Sequence, residues 1–177
     1  MATGTIVIIT VIVAILAAII AYFVLSHLKG SLDLLLTNTS FSHGETIKGS
    51  FNLNAKKLIE GNSLYVALIA REVTEERDDE GGRDTRSREI YKNENRIDGP
   101  REYPQGFSET FSFEFTVPDD IQSEFEGSTI GQAVKLIGNM MDNGSKHIEW
   151  KIEACLDAKG IDLRDSEKIY IDVAKSN

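Results

Sequence analysis

Charge is missing from the start of this chain: the first 28 residues contain no Asp, Glu, Lys or Arg. Cysteine is nearly missing throughout. Cys155 is alone among 177 residues, which excludes an internal disulfide and suits a reducing compartment without requiring one. The three histidines, His27, His43 and His147, are scattered, so neither the clustered Cys and His of a zinc site nor the Ser or Cys with a nearby His base of nucleophilic catalysis is visible. No Gly-rich loop precedes an apolar helix to cradle a phosphate. Asp78-Asp79-Glu80 and Asp119-Asp120 lack the alternating oxygen spacing and bidentate Glu of a calcium loop. These absences predict a non-enzymatic chain with no metal and no cofactor.

The uncharged start is a long apolar run. Residues 6–25 are interrupted only by Thr10 and the aromatics Tyr22 and Phe23. Twenty helical residues at about 1.5 Å each cover the roughly 30 Å of a bilayer core, so residues 1–28 are expected to form a single transmembrane helix. A cleaved signal peptide competes with this reading. It would carry a basic start, a shorter apolar core and small residues at a cleavage site, whereas bulky Tyr22-Phe23-Val24-Leu25 stands there. Tyr22 and Phe23 suit an interfacial position, with His27 and Lys29 at the water boundary, and Lys29 assigns the C-terminal part to the cytoplasm by the positive-inside tendency. Asn38-Thr39-Ser40 and Asn143-Gly144-Ser145 match glycosylation acceptors, which matter only if the domain faces outward.

Residues 29–177 are enough for one domain with a full core, and they hold all of the formal charge of −9. An acidic domain is repelled by phosphate backbones and anionic headgroups, which argues against nucleic acid and against broad lipid adhesion beyond the anchor. Proteins are the expected partners.

From Ser31 onward, apolar and polar residues alternate with the period of half-buried strands. Leu32, Leu34 and Leu36 share one face; His43-Gly44-Glu45 turns the chain into Ile47, Gly49, Phe51 and Leu53. Leu64, Val66, Leu68 and Ala70 form a third strand whose opposite face, with Ala67 and Ile69, is also partly apolar, which predicts a central position. Ile90-Tyr91 and Ile97 suggest a short strand. Phe107, Phe111, Phe113, Phe115 and Val117 alternate with polar residues until Pro118 removes a donor. Ile148, Trp150, Ile152, Ala154 and Leu156 share a face, Lys159-Gly160 turns, and Ile169, Ile171 and Val173 close the series.

About seven strands without the alternating helices of a parallel sheet predict an all-β, antiparallel, two-sheet immunoglobulin-like sandwich. One short helix is expected within it. Ile130, Ala133, Val134, Ile137 and Met141 follow one helical face between residues 128 and 141, with Thr129 and Gln132 as a capping box. This helix either plugs an open end of the sandwich or offers Met140 and Met141 as an adaptable binding surface.

Eleven of the sixteen residues from 74 to 89 are charged, and two more are the pair Gly81-Gly82. That composition predicts a solvated, mobile hairpin loop. As a functional element it would be a docking loop, with Asp78, Asp79 and Glu80 attracting a basic partner and Arg83, Arg86 and Arg88 fixing register.

Three segments carry a family resemblance: Gly44-Glu45-Thr46-Ile47-Lys48-Gly49, then Phe111-Ser112-Phe113-Glu114-Phe115-Thr116-Val117-Pro118, then Trp150-Lys151-Ile152-Glu153-Ala154. They resemble the Gly-Glu turn, the aromatic strand ending in Pro, and the aromatic-x-aliphatic-x-Ala strand of a single arrestin-like domain. Arrestins, the retromer small-subunit family and bacterial sporulation-control proteins share that domain. The resemblance implies a protein-binding or scaffolding sandwich. Most members pair two sandwiches, so a cleft between domains is not expected here, the helix at 128–141 has no general counterpart, and no phosphate- or receptor-binding motif carries over.

Two functions compete on this reading. The first is a single-pass membrane protein whose cytoplasmic arrestin-like sandwich binds other proteins. The second is an extracellular pilin-like structural subunit, since Gly4 precedes a hydrophobic helix; Ile9 stands where such proteins carry Glu, and Gly30 ends the helix where an amphipathic stem would continue.

Overall fold

The computed structural model describes residues 2–77, 83–118 and 144–172. Among these residues a helix α1 (Ala2–Lys29) leads directly into the first of nine strands. These are β1 (Gly30–Leu36), β2 (Ser40–Ser42), β3 (Thr46–Ala55), β4 (Ile59–Arg77), β5 (Arg83–Asp98), β6 (Arg101–Tyr103), β7 (Ser108–Thr116), β8 (Gly144–Ala158) and β9 (Leu163–Asp172).

Only the C-terminal end of helix α1, at His27 and Lys29, bonds to the strands' loops among the described residues. Its large apolar side chains stand exposed along its length, Ile8 and Ile20 by more than 60%. The stretch Val7–Lys29 is long and apolar enough to cross a membrane, a test that a signal sequence near an N-terminus also passes. The helix stops at Lys29, and Gly30 already belongs to β1.

The strands form two sheets, in the orders β1-β3-β7 and β2-β9-β8-β4-β5, with β6 adding to β4. All pairings are antiparallel except the short parallel contact of β2 with β9. The two extra strands relative to the expected seven, β2 and β6, are three residues each, too short for alternation to reveal. The expected inserted helix at 128–141 lies outside the described residues.

Between the sheets lies one core. Leu32 and Leu34 of β1, Ile47, Phe51 and Leu53 of β3, and Phe113 and Phe115 of β7 meet Leu64, Val66 and Leu68 of β4 and Trp150, Ile152 and Leu156 of β8. Each set recurs every second residue because a strand turns alternate side chains to one face. Strand β4 is indeed internal, between β8 and β5. Its second face also buries Ala67 and Ile69.

The Gly-Glu turn has a clear physical basis. Gly44 adopts φ +72°, a left-handed value that side chains disfavour. Glu45 Oε2 accepts from Ser42 N at 2.8 Å, Val117 N donates to Glu45 O at 2.9 Å, and Gly44 N donates to Val117 O at 3.2 Å. The turn is thereby fastened to the residue before Pro118, and His43 Nδ1 lies 2.8 Å from the Pro118 carbonyl.

The segment 74–89 departs from expectation. Residues 74–77 and 83–89 are not loose loop but paired strand: Thr74 faces Arg86, Glu75 faces Thr85, and Glu76 faces Asp84. Strand β8 pairs along the other side as far as Gly144 opposite Glu76. The segment holds its strand form because β8 and its own return strand satisfy its backbone, which local composition does not register.

Candidate functional site

Strand β4 spans 19 residues, a contour of about 60 Å at roughly 3.3 Å per residue. The ladder of β8 with β9 ends at Trp150 opposite Ile169, while β4 remains paired to both β5 and β8 well past that level. A three-stranded arm therefore continues past the end of that ladder, at the opposite end of β4 from the Ile59 end that adjoins α1.

Of the six residues expected to make a docking loop, Asp78, Asp79 and Glu80 lie outside the described residues. Arg83 is described through its backbone, which pairs with Arg77. Arg86 and Arg88, two apart, share one face of β5. Arg86 Nε contacts Asp84 Oδ2 at 3.1 Å and its side chain is 71% exposed. Arg88 Nη2 donates to Glu72 Oε2 at 3.0 Å, and Glu72 is only 8% exposed. The two arginines thus differ: Arg88 bonds a buried carboxylate, and Arg86 bonds an exposed one. Glu72 had no signal in the sequence, since its burial follows from packing against β5 and β8.

The outer face of the larger sheet is laid out in rows of alternating charge. The register brings Arg164, Cys155, Tyr65 and Arg96 together, then Ser166, Glu153, Ala67 and Glu94, then Lys168, Lys151, Ile69 and Lys92. Neighbouring rows bond: Lys92 meets Glu94 at 2.6 Å, Lys151 meets Glu153, and Arg164 meets Glu153 at 3.7 Å. Lys92 also lies 5.0 Å over the Tyr65 ring. These long side chains cover Ala67, Ile69 and Cys155. Burial pushes the Cys155 thiol up from its ordinary range, and the hydrogen bond with Tyr65 only partly opposes this. A thiol held protonated in this way is a packing group rather than a nucleophile.

An open groove of about 660 Å³ is lined by Leu36, Gly49 and Phe113, with Lys48, Glu114 and Asn95 at its walls. Thr37, Ser50 and Ser112 also line it, and its lining holds neither His nor Cys. The histidines are held apart on α1, the turn before β3 and β8. Among the described residues, no group of three or more His, Cys, Asp or Glu is placed to hold a metal.

No protein-family model matches the chain, and no curated protein matches it in sequence. Solved structures do match in three dimensions. Spo0M, a sporulation control protein from Bacillus subtilis, is similar with a TM-score of 0.54 and 18% identity, over 82% of this chain and 50% of that one. The fold is an arrestin-like β-sandwich of that type. The chain spans half the length of the Spo0M chain it matches. The Pseudomonas fluorescens alkylpurine DNA glycosylase AlkC, bound to DNA with an abasic-site analogue, matches at a TM-score of 0.34 and 13% identity, over 82% of this chain and 31% of that one, too low to bear on function.

Proposed function

We propose that the chain is a single-pass membrane protein in which residues 1–28 anchor and residues 29–177 form a non-enzymatic, arrestin-like domain that binds other proteins on the cytoplasmic side. The observation that carries this reading is the direct passage of α1 into β1 combined with the charged arm of β4, β5 and β8 directed away from that junction. Such a geometry suits a protein-binding element held away from a bilayer. The arrestin-like sandwich fold, which matches half of the Spo0M chain, adds support.

Sidedness is tested by Thr85→Cys, an exposed position on the arm, labelled with an impermeant thiol reagent in intact and in lysed cells. Labelling only after lysis is expected; labelling of intact cells reverses the topology. Partner binding is tested by proximity labelling from the full-length protein and from a chain with residues 78–82 replaced by Gly and Ser. Identical neighbour sets remove residues 78–82 from the interface.

A further inference from the structure

The chain's strong acidity hides a local reversal of sign where the sandwich meets the helix. Lys29 closes α1, and its carbonyl accepts from Lys56 N at 3.0 Å and Lys57 N at 3.3 Å. Its ammonium reaches the other way, donating to Lys159 O at 3.0 Å and Ile161 O at 2.5 Å. Lys56 Nζ donates to His27 O at 3.0 Å and lies 3.2 Å from His27 Nε2. The helix end is thus clasped between the β3–β4 loop and the β8–β9 turn, and four lysines gather around it. Two acidic groups lie close. Glu60 bonds Lys159 at 3.1 Å, and Asp162, facing Lys29, is engaged by Arg164 at 3.2 Å and Ala158 N at 3.1 Å. Beside Lys57, Leu58 stands 57% exposed, a large apolar side chain with no core to enter.

Depth decides what this surface meets. Val7–Lys29 has 23 residues, about 35 Å of helix against a hydrocarbon core of about 30 Å. A helix that spans with this stretch ends at headgroup level, and loops hydrogen-bonded to its last residue lie at the same level. Lysines with an adjacent exposed Leu match the chemistry of that layer: ammonium groups for lipid phosphates, an apolar side chain for the acyl boundary.

We propose that Lys56, Lys57 and Leu58, with Lys159 opposite, form a contact surface for anionic phospholipid headgroups of the membrane that α1 crosses, holding the sandwich in one orientation on the bilayer. This rests on the reading of α1 as a membrane span. It departs from the expectation that broad lipid adhesion beyond the anchor is disfavoured, because the net charge of −9 is an average and headgroups meet only the surface within a Debye length, about 8 to 10 Å.

The test uses the full-length chain in nanodiscs of phosphatidylcholine alone or mixed with phosphatidylglycerol. In a Cys155→Ala background with cooperative melting retained, a fluorophore is placed at Leu58→Cys, at the distal Thr39→Cys, or at Leu16→Cys in mid-helix, and quenched by lipids spin-labelled in the headgroup or deep in the acyl chain. Leu16 should be quenched by the deep label. Position 58 should be quenched by the headgroup label more than position 39, more strongly in the anionic discs, and less after Lys57→Glu, whose ammonium makes no bond within the described residues. Equal quenching at 58 in both disc types, or no effect of Lys57→Glu, overturns the inference while leaving the anchor standing. Absence of deep quenching at Leu16 overturns the anchor reading and this inference with it.

Discussion

Phe113 occupies the space that a side chain at Gly49 would need. The two residues face each other across β3 and β7, and a Cβ on Gly49 would fall 2.6 Å from Phe113 Cζ and 2.9 Å from the backbone oxygen of Leu35. The second glycine of the Gly-x-x-x-x-Gly segment at 44–49 is therefore the partner of the aromatic strand, and two pieces of the family resemblance are one packing interaction. Because one obstructing atom is backbone, the clash is not relieved by a rotamer change alone. Gly49→Ala should cost about 1–3 kcal/mol by overpacking. Denaturant unfolding of the full chain in micelles measures it, and Phe113→Leu in the same chain should recover part of the loss. An unchanged midpoint for Gly49→Ala would mean that β7 yields more easily than its two flanking phenylalanines imply.

Trp150 is buried on the core face of β8, opposite Ala70 and Ile169, with its ring centroid 5.7 Å from that of Tyr91. Trp150→Ala should cost about 3–5 kcal/mol, since a large cavity opens between strands that cannot close over it. That is comparable with the total stability of many single domains. A loss below about 1 kcal/mol would show that the site collapses or that the ring is not buried.

The turn from β5 to β6 should respond to pH at both extremes. The hydrogen bond from Arg101 Nη1 at 2.9 Å, aided by Gly99 N and the Tyr103 hydroxyl and opposed by desolvation, holds the Asp98 carboxyl below its ordinary range. A depressed carboxyl contributes stability that is complete above its unfolded pKa, about 4, and is lost as pH falls through the folded value. Burial pushes the Tyr103 phenol up to about 12. A raised phenol contributes stability that is complete below its unfolded pKa, about 10, and is lost as pH rises toward the folded value. Asp98→Asn should flatten part of the acid limb of a stability–pH curve, and Tyr103→Phe part of the alkaline limb. Parallel curves for Asp98→Asn and the parent would mean that Asp98 is equally paired in the unfolded chain.

Strand faces were legible because burial on one side imposes a period of two, and Leu32 to Leu36, Phe111 to Val117 and Ile148 to Leu156 all show it. The arm was not. Residues 74–75 and 84–89 show no alternation of burial, since what holds them is backbone pairing across β4, β5 and β8, a tertiary cause invisible to composition. Nor was the lysine collar. Lys29, Lys56 and Lys159 are distant in sequence, and only closure of the sandwich brings their loops to the helix end. Glu72 likewise reads as one more charge in a charged stretch until Arg88 arrives opposite it. The elements that local period specifies are those of the core, while every candidate binding feature depends on contacts between distant segments.

The arm carries two arginines with different surroundings. Arg88 bonds a carboxylate that is almost fully buried, so Arg88→Ala should lower stability by about 1–2 kcal/mol, less than a fully buried pair because the guanidinium is half exposed. Arg86 and Asp84 are both mostly exposed, and Arg86→Glu should change stability by no more than about 0.5 kcal/mol. If the arm docks a protein through charge, Arg86→Glu should nonetheless alter what the full-length protein captures at the membrane. Capture by the parent should also weaken with added salt, since exposed charges are screened within about 10 Å. Cross-linking in intact cells with parent, Arg86→Glu and Arg88→Ala, read beside their melting curves, checks this. Loss of cross-links in Arg86→Glu with an unchanged melt places a contact on the arm. Loss only in Arg88→Ala, in step with its lower melt, marks the arm as structural and moves the interface to the groove beside Gly49 and Phe113.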